Sequence, residues 1–492
     1  MTEEKVKRQG EGLETDITFI KTPPQPPPQF ATGVDYGVSA TNFPTIHNPP
    51  LPAEGPGNES FSNYLLLALC LAIPAYVART LGGGLKTTIF FTVLFFVPIL
   101  IAFWTVTSTY SPRTNDKTSL PGRPVEHYIT FKKDEDRRRW SGRKMIPMKT
   151  FYEMYFDGDV DFNGDCLEVM EYRHDWANFS FTWPVFQFIF LTFFVDVLFH
   201  SRKQDEEQIR PNYDRGNDHY SFFLGPRMVY TSGIFSYPSR EESLEEMQDN
   251  KMAIVCEKLE LKEGESMLDI GCGWGSLARF ASVNYGAHVT GSKLLVMDYR
   301  DIPDRKFNKI SQLEMGEHVG IRRLTTFFRQ CYDMLEDDGA MYVQLSGLRR
   351  AWQYEDFIWG TFLNKYIFPG ADASTPLANY VGCLESAGWE IKSIDTVGVH
   401  YSGTLWRWYR NWLGNAETVT AKYGQRWYRI WELFLAWSTI ASRQGSATCY
   451  QMVVVKNLNA THRINGFGSQ FGLSGALAKA RAAGKAVFPK SK

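Results

Sequence analysis

The stretch LDIGCGWG, Leu268–Gly275, gathers residue types that can hold a small polar ligand. Asp269 ends an apolar run, and Gly271, Gly273 and Gly275 follow at alternate positions before SLARFASVNY. Glycines in such a strand-to-helix turn let backbone approach a bound group closely, and the open N–H groups at the helix start suit polar or anionic atoms. A dinucleotide fingerprint requires GxGxxG/A, whereas here the third glycine follows after a single residue. An acidic strand end running into GxGxG is instead the pattern of sites that take S-adenosylmethionine (SAM).

The elements needed to position this turn are legible around it. SMLDIGCGWGSLARFASVNYGAHVTG reads as strand, turn, helix and strand. FNKISQLEM (307–315) and GAMYVQLSG (339–347) are further strands on either side of a helix near 324–335. EIKSIDTVG (390–398) and CYQMVVVKN (449–457) complete a sheet. Ser239 with Glu242 forms a capping box ahead of a helix running through Leu259. Together these define a soluble α/β domain over 210–457.

The remaining chain is of other kinds. Its 53 basic and 54 acidic residues carry no bias toward nucleic acid. The seven cysteines are scattered with no CxxC pair, which argues against a disulfide framework or a zinc site. Residues 1–60 hold a Pro-rich stretch that reads as a disordered tail, with no apolar region of a cleaved signal at its start. Two apolar runs follow within 61–110, Tyr64–Val77 (extendable to Leu81) and Thr87–Val106, joined by Gly82, Gly83 and Gly84. They predict a transmembrane hairpin, with a buried core hairpin as the alternative. Lys132, Lys133, Arg137, Arg138, Arg139, Arg143 and Lys144 crowd the far flank, placing that side in the cytosol. Residues 111–209 read as a linker holding a Phe-rich segment, Phe179–Phe199, that suits a membrane interface better than a span. Residues 458–492 form a basic, flexible tail. Nine of the 14 tryptophans fall between Trp352 and Trp437, so they are either core aromatics or the walls of a lipid channel.

In its motifs the domain resembles the cyclopropane-fatty-acid synthase group of SAM-dependent lipid methyltransferases. The matching stretches are YDRGND (213–218), MVYTSGIF (228–235), LDIGCGWG, DYRD (298–301), GEHVG (316–320), NKYIFPG (364–370) and HYSGTLWRWYRNW (400–412). The two apolar runs and QYEDFIWG (353–360) narrow the resemblance to fungal sphingolipid C9-methyltransferases. It implies a class I, Rossmann-like methyltransferase domain with helical lipid-binding insertions behind two transmembrane helices. It also implies a multi-pass protein of the endoplasmic reticulum membrane with a cytosolic catalytic domain, acting on ceramide or glucosylceramide. The cofactor site would draw on Tyr230 and Thr231, and on Leu268, Asp269, Ile270, Gly271, Cys272, Gly273, Trp274 and Gly275.

The chemistry implied is methyl transfer to C9 of a Δ8-unsaturated sphingoid base, leaving a cation at C8. Such a cation must be kept from water, faced by π-systems and relieved of a proton. In the family the base is a bicarbonate held by Glu, His and Tyr; those positions are here Glu317, Gln344 and Tyr401. Gln344 can hydrogen-bond an anion but cannot share its proton. Loss of the C9 hydrogen restores the double bond with a methyl branch, whereas loss from the new methyl closes a cyclopropane. His318 is read as a satisfied core residue rather than a ligand. The alternative readings are cyclopropane formation on phospholipid chains, or a membrane-bound protein of this fold with impaired catalysis.

One stretch departs from the resemblance. Relatives have roughly twenty residues more between the Gly turn and DYRD, supplying a crossover helix and a turn that grips the SAM ribose. Here GAHVTGSKLLVMDYRDIP (286–303) has no room for them, so the crossover after the second strand is missing. A continuous strand or frayed edge is expected, with no helix between His288 and Met297.

Overall fold

The structure, a computed structural model, describes residues 46, 62–110, 120–193, 216–237, 240–289, 298–302, 305–350, 353–369 and 374–459. Both tails fall almost wholly outside these residues, as do 290–297 of the expected frayed strand.

Two helices, α1 (Asn63–Thr80) and α2 (Leu85–Tyr110), form the hairpin predicted for 61–110. Ser62 caps α1 by accepting from Leu65 N at 3.2 Å, and Gly82 turns the chain at φ +71°. Both helices are long and apolar enough to cross a membrane. Only 17% and 6% of their most apolar windows are buried, so neither is the core helix of a soluble domain. Leu67, Leu71, Phe90 and Val93 point outward, an arrangement stable in lipid and costly in water. The end of α2 leaves this environment. Leu100, Ile101 and Trp104 pack on the main core, Trp104 meets Phe181 edge-on at 5.6 Å, and Ser108 Oγ accepts from Phe181 N at 2.9 Å.

Residues 120–193, expected within a linker, carry their own structure. Strands Ile129–Phe131 and Val160–Phe162 pair antiparallel, and helix α3 (Met148–Asp157) buries Phe151, Tyr152, Tyr155 and Phe156. Aromatic density explains the difference: Phe151, Phe162 and Trp176 pack ring to ring with centroids 4.5–6.2 Å apart, enough apolar area to fold a segment lacking long periodic runs. Of the Phe-rich segment, the described part is a short helix, Trp183–Phe188, and a π-turn, Ile189–Phe193; Phe181, Val185, Phe186 and Ile189 point inward and Trp183 and Leu191 outward.

After α4 (Asn217–Leu224) and α5 (Leu244–Lys258) comes the α/β unit. The cap of α5 is Ser243 with Glu246, four residues beyond the expected pair. SREESLEE offers the Ser-x-x-Glu pattern twice. Glu242 is instead fully buried and accepts from Ser236 N and Oγ, at 3.0 and 2.6 Å, and from Tyr237 N at 3.1 Å.

The sheet contains β1 (Ser266–Ile270), β2 (His288–Val289), β3 (Phe307–Leu313), β4 (Leu335–Leu348), β5 (Trp389–Thr396) and β6 (Ala447–Lys456), in the order β2-β1-β3-β4-β6-β5. β1 is parallel to β2 and β3, and β3 to β4, while β6 runs antiparallel to β4 and β5. Along β4 and β6 the side chains alternate between two apolar layers. Met341, Val343, Leu345, Met452 and Val454 face α7 (Leu324–Met334) and α9 (Leu377–Ser386); Ala340, Tyr342, Val453 and Val455 face α5 and α6 (Ser276–Tyr285). β2, with two paired residues, lies at the edge.

A third, helical layer covers the sheet's end: α8 (Tyr354–Tyr366), α10 (Gly398–Gly414) and α11 (Gln425–Arg443). WRWYRNW and RWYRIW are thus helical, and Trp408, Trp412 and Trp437 are fully buried. The N-terminal segment is fastened to this layer by a buried ion pair. Arg173 donates to Glu355 of α8 and to Gln444 Oε1 at 2.9 Å, and Glu355 also accepts from Trp437 Nε1 at 3.2 Å and lies 3.0 Å from His174 Nε2. Burial alone would raise the Glu355 carboxyl, but Arg173 and His174 hold it well below the usual range. Removing one partner of such a pair leaves a buried charge uncompensated, at a cost of about 3–5 kcal/mol. Glu355→Ala should therefore lose about that much stability in denaturant unfolding followed by tryptophan fluorescence, whereas the paired change Glu355→Leu with Arg173→Met should lose clearly less. Equal losses would show that packing, not charge pairing, holds the two layers.

Candidate functional site

The parallel strands β1, β3 and β4 deliver their C-terminal ends to one side of the sheet, where ligand sites of open α/β sheets form. Past β1 the backbone enters the left-handed region at Gly271 (φ +77°), Gly273 (φ +54°) and Gly275 (φ +77°). A methyl group on Gly271 would meet the Met315 side chain at 2.9 Å, while the space beside Gly273 is open. The turn is tied to its surroundings by Trp274 Nε1, which donates to Asn217 Oδ1 at 3.0 Å, and Ser276 Oγ, which donates to Arg227 O at 2.7 Å.

Beside this turn lies a cavity of about 260 Å³. Tyr230, Thr231, Asp269, Gly271, Cys272, Gly273 and Trp274, all expected there, line it. Leu268 and Ile270 lie beneath it in the core, and Gly275 serves as the cap of α6. Motif reading missed Met228, Lys251 and Glu314 among the lining residues. Among the described residues, none of the lining lies between Leu277 and Leu313.

Two buried charges face each other here. Asp269 accepts from Ser311 Oγ at 2.7 Å, but burial outweighs this bond and the nearby Lys251, and pushes its carboxyl up to about 6. Lys251 donates to Thr231 Oγ1 at 2.8 Å; burial lowers its ammonium to about 8 against the pull of Glu314 and Asp269. An ammonium, a carboxylate and open backbone N–H groups around a small cavity match the zwitterionic amino-acid end of SAM.

At the end of β3 the chain makes a second left-handed turn, at Glu314 (φ +53°). The Glu314 carboxylate collects donors from four segments. Oε1 accepts from Gln344 Nε2 at 2.7 Å and Ser232 N at 3.0 Å, and Oε2 from Tyr401 OH at 2.8 Å and Ser346 Oγ at 3.4 Å. Cys449 Sγ stands 3.7 Å from Oε1. Two of the three residues assigned to an anion site, Gln344 and Tyr401, thus meet on a carboxylate of the chain itself. The third, Glu317, is buried one turn away and accepts from Ser346 N. The signal for Glu314 was present as a second acid in LEMGEHVG, three positions before Glu317. Burial and the adjacent Glu314 push the Tyr401 phenol well up, so it remains a donor. His318 is pulled down to about 4 by burial, and is neutral.

Aromatic rings border this carboxylate. Tyr401 meets Trp408 at 6.0 Å, Trp408 meets Tyr230 at 5.4 Å, and the row continues through Tyr220 to Trp274 beside the Gly turn.

Comparison with known proteins identifies the family. A family model described as mycolic acid cyclopropane synthetase matches residues 200–294 and 292–452, its two pieces meeting where the connection after β2 is short. Sphingolipid C9-methyltransferase B of Emericella nidulans is 70% identical, covering 97% of this chain and 98% of the relative. That alignment extends over 501 positions, so about two dozen are filled in the relative and empty in this 492-residue chain. Sphingolipid C9-methyltransferase 1 of Gibberella zeae is 65% identical over 99% of this chain and 100% of its own. Among solved structures, the cyclopropane synthase MmaA2 from Mycobacterium tuberculosis is 22% identical over 51% of this chain and 98% of that one, with a TM-score of 0.47. With identities this high over nearly the whole of both chains, the protein belongs to the sphingolipid C9-methyltransferases.

Proposed function

We propose that this protein transfers a methyl group from SAM to C9 of a Δ8-unsaturated sphingoid base, in ceramide or glucosylceramide. The observation that carries this reading is the pairing of a Gly-turn cavity holding Asp269 and Lys251 with a half-buried carboxylate, Glu314, bordered by aromatic rings. When bound, SAM supplies an electrophilic methyl on sulfur. The chain's own residues do the rest. Asp269 and the Gly271–Gly273 backbone hold the cofactor's ammonium and carboxylate ends, with Lys251 opposite. Trp408, Tyr401 and Tyr230 exclude water and turn π-faces toward a developing cation. The spanning-length helices and the basic flank after them support a multi-pass protein of the endoplasmic reticulum membrane with the catalytic domain in the cytosol. The outward Trp183 and Leu191 support an interfacial contact that lets the lipid enter from the bilayer.

Extracts supplied with SAM and a Δ8-unsaturated ceramide should gain a base one CH₂ heavier that is still cleaved by ozone, since the double bond returns. An ozone-resistant product of the same mass would mean a cyclopropane ring and sink this reading. SAM affinity, measured by calorimetry, should fall as the pH drops through about 6. A carboxyl with a raised pKa is charged above that value and neutral below it, so its attraction for the cofactor's ammonium is lost on acidification. Asp269→Asn should flatten that profile; an unchanged profile would place the titrating group elsewhere. Finally, the crossover that the resemblance gives to relatives would grip the SAM ribose, and 286–303 of this chain has no room for it. Restoring about two dozen residues between Gly291 and Met297, copied from the Emericella relative, should tighten SAM binding at least tenfold, about 1.4 kcal/mol. Equal affinities would show that the short connection costs the site nothing.

A further inference from the structure

We propose that the Glu314 carboxylate is itself the base of this reaction and fills the place that the resemblance gives to bicarbonate. The inference rests on the methyl-transfer reading above and names the group that completes it. Gln344 and Tyr401, the two residues aligned with the anion's holders, do not face a vacancy. They donate to Glu314 at 2.7 and 2.8 Å, with Ser232 N at 3.0 Å. An external anion would need these same donors, and Glu314 already uses them.

The direction of the hydrogen bonds supports an acceptor at this point. Lys258 Nζ can only donate, and does so to Gln451 Oε1 at 3.1 Å. Gln451 must then turn its NH₂ to Gln344 Oε1, at 3.2 Å, and Gln344 must turn its own NH₂ to Glu314. The string of donors that starts at Lys258 can end only on an acceptor, and a carboxylate is the one a substrate proton can reach, because Glu314 also lines the cofactor cavity. The replacement of His by Gln is then expected. A His would share a proton with an anion that exchanges with solvent, whereas a fixed carboxylate needs only a neutral donor to orient it.

The reaction balances with these groups. The S–CH₃ pair stays on sulfur, the alkene π pair forms the C9–CH₃ bond, and C8 is left cationic. Glu314 takes the C9 proton, the C9–H pair closes the C8=C9 bond, and the carboxylate becomes the neutral acid. A C–H bond next to a carbocation is acidic enough for a carboxylate, even one held by several donors.

The test uses the full-length protein in CO₂-free buffer. Wild-type turnover should change less than about twofold when bicarbonate is added. Glu314→Gln keeps the shape and loses the base, so turnover should fall by about 100-fold or more, with cooperative thermal unfolding and an unchanged near-UV spectrum as the check on folding. Glu314→Gly suits the φ of +53° and opens a carboxylate-sized gap. Its activity should fall likewise and recover at least about tenfold with bicarbonate or formate. A readout independent of turnover is the broadening of the ¹³C-bicarbonate resonance, expected with Glu314→Gly and not with the wild type. Bicarbonate binding to the wild type, or Glu314→Gln above about a tenth of wild-type activity, overturns the proposal. If the wild type makes no methylated lipid in any buffer, the substrate reading fails, while the resonance still decides who occupies the anion site.

Discussion

The geometry of the site depends on one half-buried carboxylate. Glu314 sits where β3 stops, in a backbone conformation that costs a residue with a Cβ about 1–3 kcal/mol. The strain is sustained because its backbone and side chain are both held. Its N–H donates to Gln344 O at 2.8 Å, and its oxygens gather Gln344, Ser232 and Tyr401. Hydrogen bonds to a charged group are worth about 1.5–3 kcal/mol each, so three of them exceed the strain. The same contacts tie β3, β4, α10 and the 228–235 segment to one point. That segment is held again where Gly233 N donates to Thr404 Oγ1 at 2.9 Å and Phe235 stacks on His400 at 3.9 Å. A carboxylate held by several donors thus sets the relative position of the Gly turn and the aromatic wall.

A second consequence concerns the membrane. The hairpin is not a loose tether, because the last turns of α2 run into the aromatic core through Trp104, Thr107 and Ser108. Tyr354 bonds Thr107, and its neighbour Glu355 receives Arg173. A bilayer that fixes α2 therefore also fixes α8 and α11, the helices roofing the site. For a substrate with long acyl chains this matters more than affinity for the bilayer alone. Were the hairpin to span a bilayer, a lipid leaving it would meet a site at a set height and tilt, so the entropy of orienting the two bodies would be met once, in folding, rather than at each turnover.

How much of this was legible in the sequence follows from which interactions are local. The strands were readable because residues buried on both faces leave apolar runs, as in β4 and β6, and the Gly turn because three left-handed positions demand glycine. The hairpin was readable because lipid exposure requires apolar residues over its whole length. The fold of 120–193 was not, since its helices are short and its stability comes from rings meeting across distant positions, such as Phe151 and Trp176 at 4.5 Å. The cap of α5 was misplaced by four residues because the motif occurs twice and tertiary burial of Glu242 chose between them. Glu314 was missed for a related reason. The resemblance pointed to the acid of GEHVG, whereas the choice between two acids three residues apart depends on which one the end of β3 turns toward Tyr401. That turn angle is a tertiary property.

The short connection after β2 shows how separable the functions of this sheet are. The apolar layers rest on β1, β3, β4 and β6, while β2 contributes two paired residues at the edge. Losing residues beyond an edge strand removes little buried area, so the fold is not their main dependant. The carboxylate node lies on the other side of β1 from that edge, and among the described residues its donors are Ser232, Gln344, Ser346 and Tyr401, with Cys449 beside them. The described donors to Glu314 therefore come from elements other than the edge strand. The edge strand and the carboxylate node thus lie on opposite flanks of β1, so a change in the one leaves the hydrogen bonds of the other in place.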